Sequence, residues 1–215
     1  VFCSIESFAQ TGKWTQLLPA HSPPARSGHG MAYLGDDKIL VFGGWKSGIR
    51  TLGDTWIYDL SDNEWTEVKC DTAPAPRDLT AMVYIGDGRV LLFGGYLDYA
   101  KDEDKWLGYA DDTWIFDLAT LKWTEKHTDR RPYASDRASS AYLGTNKVLL
   151  YSGNNCPIEY SKYKDLLCHD TWIYDLNTNK WDSITNNYPR GREGAQMCKI
   201  DSNRIVLYGG WTSVL

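Results

Sequence analysis

A chain of 215 residues with 42% hydrophobic content holds ample material for a core, and its net charge of −5 without a basic stripe argues against nucleic acid as the main partner. No apolar run nears the roughly 18 residues a membrane helix needs, and no signal segment is visible at the N-terminus, so no membrane partner is expected. Ten Trp and fourteen Tyr are an excess for this length, and most of the Trp fall in a pattern that recurs.

In chain order, residues 1–18 carry two short apolar segments, the second holding Trp14. Four segments then follow in each of three repeats. The first is GHGMAYL (28–34), LTAMVYI (79–85) and ASSAYL (138–143), rich in small residues, which suits a strand crowded by its neighbours near an axis. The second is KILVFGG (38–44), RVLLFGG (89–95) and KVLLYSG (147–153), near-continuous apolar runs that read as strands buried on both faces. The glycine pair that closes it suits a site where a Cβ would collide or φ is positive. The third is DTWIYDL (54–60), DTWIFDL (112–118) and DTWIYDL (170–176), and the fourth holds a lone Trp: Trp65, Trp123 and Trp181. A ring of that size buries roughly 200 Å² against the next repeat. A last stretch, 190–211, holds only first and second segments (194–200 and 204–210).

Successive fourth-segment Trp residues, from Trp14 onward, lie 51, 58 and 58 residues apart. A period near fifty with a double glycine and a Trp resembles the kelch repeat, each repeat one blade of a β-propeller. The resemblance implies an all-β fold of four-stranded antiparallel blades. It divides the chain into a half blade at 1–18, blades at 24–69, 76–127 and 132–185, and a half blade at 190–211. Either the halves pair to close a four-bladed ring, or the chain is a piece of a larger propeller; the second is expected.

Antiparallel order puts two kinds of turn on opposite faces. The first-to-second and third-to-fourth turns are tight, as in Gly35-Asp36-Asp37 and Asn177-Thr178-Asn179. The other connections are long and varied: 45–53, 96–111 and 154–169 inside blades, and 18–25, 69–76 and 127–136 between them. Variable loops on a rigid scaffold carry function, so the long-loop face is the expected binding surface.

Arginine is concentrated between blades. Arg26, Arg77 and Arg192 share one register ahead of the first strand; Ser135 takes that position in the third repeat, with Arg137 two residues later. A guanidinium is a planar fork suited to carboxylates and phosphates. The resemblance to kelch adaptors implies a role for these positions in holding an acidic peptide at the channel mouth. The other reading is that each Arg pairs with an Asp of its own fold. Off-register aromatic residues in the long loops, Tyr99, Trp106 and Tyr163, are further candidates for partner contact, or they pack within their loops.

The five scattered cysteines read as thiols in a reducing compartment, hence the cytoplasm. A Cys156–Cys168 bridge within one loop would point to secretion instead. Cys168 and His169 have no second ligand pair at metal spacing, so neither metal nor cofactor is expected. No phosphate-cradling loop, HExxH or GxSxG motif occurs, and the four histidines share no register. The expected function is a protein-interaction module or scaffold. The alternatives are a propeller enzyme, of the copper-oxidase or sugar-epimerase kind found among such propellers, or an architectural subunit of a large assembly.

Overall fold

A computed structural model describes residues 2–6, 13–97, 108–151, 153–155, 167–184, 189–202 and 204–212. Eighteen strands occur among them. β1 (Phe2–Glu6) and β2 (Lys13–Leu17) form a two-stranded sheet. Blade 1 is β3 (Gly30–Gly35), β4 (Lys38–Lys46), β5 (Arg50–Asp59) and β6 (Glu64–Val68), hydrogen-bonded in that order. A short β7 (Arg77–Asp78) precedes blade 2, whose strands are β8 (Ala81–Gly86), β9 (Arg89–Phe93), β11 (Thr113–Asp117) and β12 (Lys122–Glu125). Between them β10 (Tyr96–Leu97) pairs with β7. Blade 3 is β13 (Ser139–Gly144), β14 (Lys147–Tyr151), β15 (Thr171–Asp175) and β16 (Lys180–Ile184); β17 (Gln196–Lys199) and β18 (Ile205–Tyr208) form a last hairpin. All pairings are antiparallel, and the two end hairpins are separate sheets that do not pair with each other.

The core lies in the seams between blades. One cluster joins Leu40, Phe42 and Ile57 of blade 1 to Val90, Leu92, Phe116 and Trp123 of blade 2. A second joins Leu91, Phe93 and Ile115 of blade 2 to Leu150, Tyr174 and Trp181 of blade 3. This is why the second strands read as continuous apolar runs: a central strand faces a neighbouring blade on each side. The fourth-strand Trp packs against the preceding blade, where the next one was expected. Trp123 sits edge-on to Phe42 at 5.2 Å, and Trp181 to Phe93 at 5.4 Å between ring centroids. The innermost strands, first in each blade, border a cavity of about 480 Å³ whose walls include Ala81, Ser139 and Ala195. Small residues suit the site because four strands, β3, β8, β13 and β17, converge on it.

The glycine pair does not end the second strand of blade 1. β4 runs on through a bulge at Phe42/Gly44 and pairs to Lys46, so the connection 45–53 is an extended hairpin. The bulge re-aims the chain toward the segment entering the blade, where Ser27 and Trp45 exchange backbone hydrogen bonds of 3.0 and 2.7 Å. Gly94 shows why the side chain is excluded: φ is +62°, and a Cβ would stand 2.5 Å from the Ser135 carbonyl oxygen.

Candidate functional site

The chain entering blades 1 and 2 is tied down by a repeated latch. Arg26 points into blade 1, where Nη1 and Nη2 donate to the two carboxylate oxygens of Asp54 at 2.6 and 2.7 Å. Its remaining N–H groups reach the carbonyls of Gly43 and Pro24. Trp56 Nε1 donates to the same carboxylate at 2.7 Å. Blade 2 repeats the set with Arg77, which grips Asp112 with both Nη groups and donates to the carbonyls of Gly94 and Ala75, while Trp114 Nε1 also reaches Asp112. Burial works against the charged form at both carboxyls, but the bonds from Arg26 and Trp56, and from Arg77 and Trp114, outweigh it and hold Asp54 and Asp112 below the usual carboxylate range.

These contacts decide the role of two predicted binding residues. The side chains of Arg26 and Arg77 are 4% and 2% exposed and hydrogen-bonded within their own blades. They do not ring an open channel mouth, because a charge this buried has to be paired by its own fold. Arg192 begins the same pattern, donating to the carbonyls of Arg190 and Gly209. Arg137 is placed differently. Its backbone lies in the left-handed region, and its partly exposed guanidinium meets Glu193 at 3.1 Å and Asp136 at 3.4 Å. Tyr99, Trp106, Tyr163 and Cys156 lie outside the described residues. Cys168 is buried, and His169 accepts a hydrogen bond from the Gly191 N–H at 2.8 Å.

The long-loop face is organised as two concentric rows. The inner row is main chain: Leu79 N–H donates to Gly28 O, Arg137 N–H to Leu79 O, and Gly194 N–H to Arg137 O, at 2.7, 2.9 and 3.0 Å. The outer row consists of residues that follow the glycine pair: Trp45, Tyr96, Asn154 and Trp211. Each bridges to the residue after the latch position, namely Ser27, Asp78, Asp136 and Glu193. The three aromatic members are exposed, Trp45 at 44%, Tyr96 at 36% and Trp211 at 62%. Tyr96 also packs edge-on against Tyr109 at 5.5 Å, so part of the loop that follows packs on itself. Sequence reasoning passed over this row; its one signal is the position directly after each glycine pair.

Residues 6–210 match the family model described as the KLHDC2/KLHL20/DRC7 Kelch-repeats domain. The chain belongs to the kelch-repeat family. It is similar to the F-box/kelch-repeat protein At1g51550 of Arabidopsis thaliana, 32% identical over 73% of this chain and 32% of that protein. It is similar also to the dynein alpha chain of the flagellar outer arm of Chlamydomonas reinhardtii, 39% identical over 80% of this chain and 4% of that one. The solved structure of YjhT superposes with a TM-score of 0.69 at 19% identity, covering 91% of this chain and 62% of YjhT. The chain therefore spans at most about a third of these two curated relatives. Membership implies a protein-interaction propeller. In blades 1 and 2 of this kelch propeller the repeated Asp-Thr-Trp has a physical meaning: Asp receives the latch arginine, Trp braces that Asp, and Thr meets the next blade. No helix among the described residues is long and apolar enough to cross a membrane.

Proposed function

We propose that this kelch propeller is a protein-interaction module that receives an extended segment of a partner across its long-loop face. The exposed row of Trp45, Tyr96 and Trp211 carries the reading. Aromatic side chains give large contact area at low entropic cost and dominate binding hot spots. Arg137 and Arg192 remain the candidates for a carboxylate of that partner, with Glu193 beside Arg137 setting the selectivity between acidic and basic flanks. The acidic preference expected for the partner thus rests on these two residues, since Arg26 and Arg77 are engaged inside their blades. The compartment expected is the cytoplasm.

A photo-crosslinking amino acid placed at Trp45, and separately at Asp87 in a short turn of the opposite face, tests the reading in source lysate. Adducts at position 45 that disappear with Tyr96→Ser and Trp211→Ser support it. Equal adducts at both positions, or adducts indifferent to those substitutions in a folded protein, overturn it.

A further inference from the structure

Blade 3 breaks the latch at one position and keeps the rest. Ser135 stands in the register of Arg26 and Arg77, while Asp170 and Trp172 stand where Asp54-Trp56 and Asp112-Trp114 stand. Ser135 is buried and Asp170 half-buried, and the slot they both border holds only about 10 Å³ of free space, too little for a side chain. Among the described residues no hydrogen bond reaches the Asp170 carboxylate. Burial pushes its carboxyl up against the opposing charges of His169 and Arg130, the reverse of the two latched aspartates. Asp170, with Tyr133 and Trp172, also lines a neighbouring cleft of about 300 Å³.

The cleft rim carries two more arginines; neither is hydrogen-bonded to Asp170, although the charge of Arg130 acts on it. Arg130 lies 5.0 Å over the Trp172 ring and donates to Ser183 Oγ at 2.7 Å; Arg131 donates to Asp111 at 2.8 Å. The site thus pairs a half-buried carboxylate with positive charge at the edge. What fits the carboxylate is given by the same chain twice over, in the guanidinium forks of Arg26 and Arg77 on Asp54 and Asp112. What fits the edge is an anion, since a bare cation would be repelled there.

We propose that blade 3 is a receptor for an arginine side chain of a partner protein, flanked by acidic residues, which completes in trans the pairing that Arg26 and Arg77 make in cis. The site refines the interaction reading above but is separate from the aromatic row. An arginine entering the cleft meets the Asp170 carboxylate beside Trp172, while its acidic neighbours meet Arg130 and Arg131. A lysine lacks the planar fork and binds less well.

The probe is a fluorescein-labelled peptide with one arginine between two aspartates, against the same peptide with neutral citrulline, titrated into the 215-residue chain. The arginine peptide should bind, and citrulline should weaken binding roughly tenfold or more. Ser135→Arg returns the missing arginine to the blade. It should raise the unfolding midpoint and abolish peptide binding. Asp170→Asn should abolish binding without needing a new side chain to fit. Trp45→Ser with Tyr96→Ser should leave peptide binding intact while removing the aromatic row, so the two readings fail separately. Equal affinity for both peptides, no binding of either, or binding that survives Asp170→Asn overturns the proposal. So does a gain in arginine-peptide affinity in Asp170→Asn or Ser135→Arg. Loss of binding in Arg130→Ala supports the edge contact. Tighter binding in that variant shows that Arg130 competes for Asp170 as an internal latch, which overturns the in-trans role.

Discussion

Trp123 Nε1 donates to Thr55 Oγ1 at 3.0 Å across the seam between blades 1 and 2. The partners are 3% and 2% exposed, so the bond is made out of water. Trp181 repeats it with Thr113 at the next seam, also at 3.0 Å. Each blade thus lends a hydroxyl from its third strand to the indole of the blade that follows. An indole N–H in an apolar seam has few other acceptors, which makes Thr the residue required between Asp and Trp.

Replacing Thr55 by Val keeps shape and burial but removes the acceptor. The orphaned Trp123 N–H should cost about 1–3 kcal/mol of stability. Trp123→Phe in the Thr55→Val background should then cost less than it does alone, because it removes the N–H that Thr55→Val left unpaired. Urea unfolding of the two single variants and the double variant measures the coupling.

Arg77→Ala leaves the Asp112 carboxylate buried with Trp114 as its main donor, and should destabilise by about 3–5 kcal/mol. Arg131→Ala removes an exposed partner of Asp111 and should change stability by no more than about 0.5 kcal/mol. Chemical denaturation distinguishes the two. A small effect at Arg77 would return that residue to the list of partner contacts.

Asp136 gives the propeller a pH dependence of its own. The side chain is 2% exposed and one carboxylate oxygen lacks a partner. Burial raises the carboxyl to about 6; Arg137 opposes this, and Glu193 and Asp78 add to it. The 3.4 Å contact to Arg137 does not prevent the rise, because that guanidinium is shared with Glu193. A raised folded-state value means that the native state binds the proton more tightly than the unfolded chain. Its contribution is therefore gained as pH falls from 7 through about 6 toward the unfolded value near 3.8, and is lost as pH rises. Asp54 and Asp112 act oppositely: their stabilisation is present above the unfolded value and lost as pH falls through their lowered ones. Asp136→Asn should raise stability at pH 7.5 by up to roughly 3 kcal/mol and flatten the profile between pH 5 and 7. Denaturation midpoints of both proteins across that range check it.

The blades were legible because their signals are local. A second strand such as KILVFGG states its own burial, and the glycine pair announces its positive φ, though not that β4 continues beyond it to Lys46. The arginine register was equally visible, but its direction was not. A long side chain at the edge of a blade reaches outward or inward with equal ease, and only the position of Asp54 or Asp112, tens of residues away, selects between them. The loss of Arg at Ser135 with Asp170 retained was on the page as a mismatch between two registers. It acquires meaning only once those registers are known to touch. The aromatic row was harder to see, since Trp45, Tyr96 and Trp211 share only the position directly after a glycine pair, and Asn154 breaks the series in the third repeat.

The inner row of the long-loop face joins successive blades through peptide groups alone, from Gly28 to Leu79 to Arg137 to Gly194. All four residues hold the left-handed backbone, and glycine, leucine and arginine each fill it here. The rim is therefore a set of addresses that can be relettered only from an alphabet tolerating that backbone, and a β-branched residue at position 79 or 137 would carry a cost in assembly.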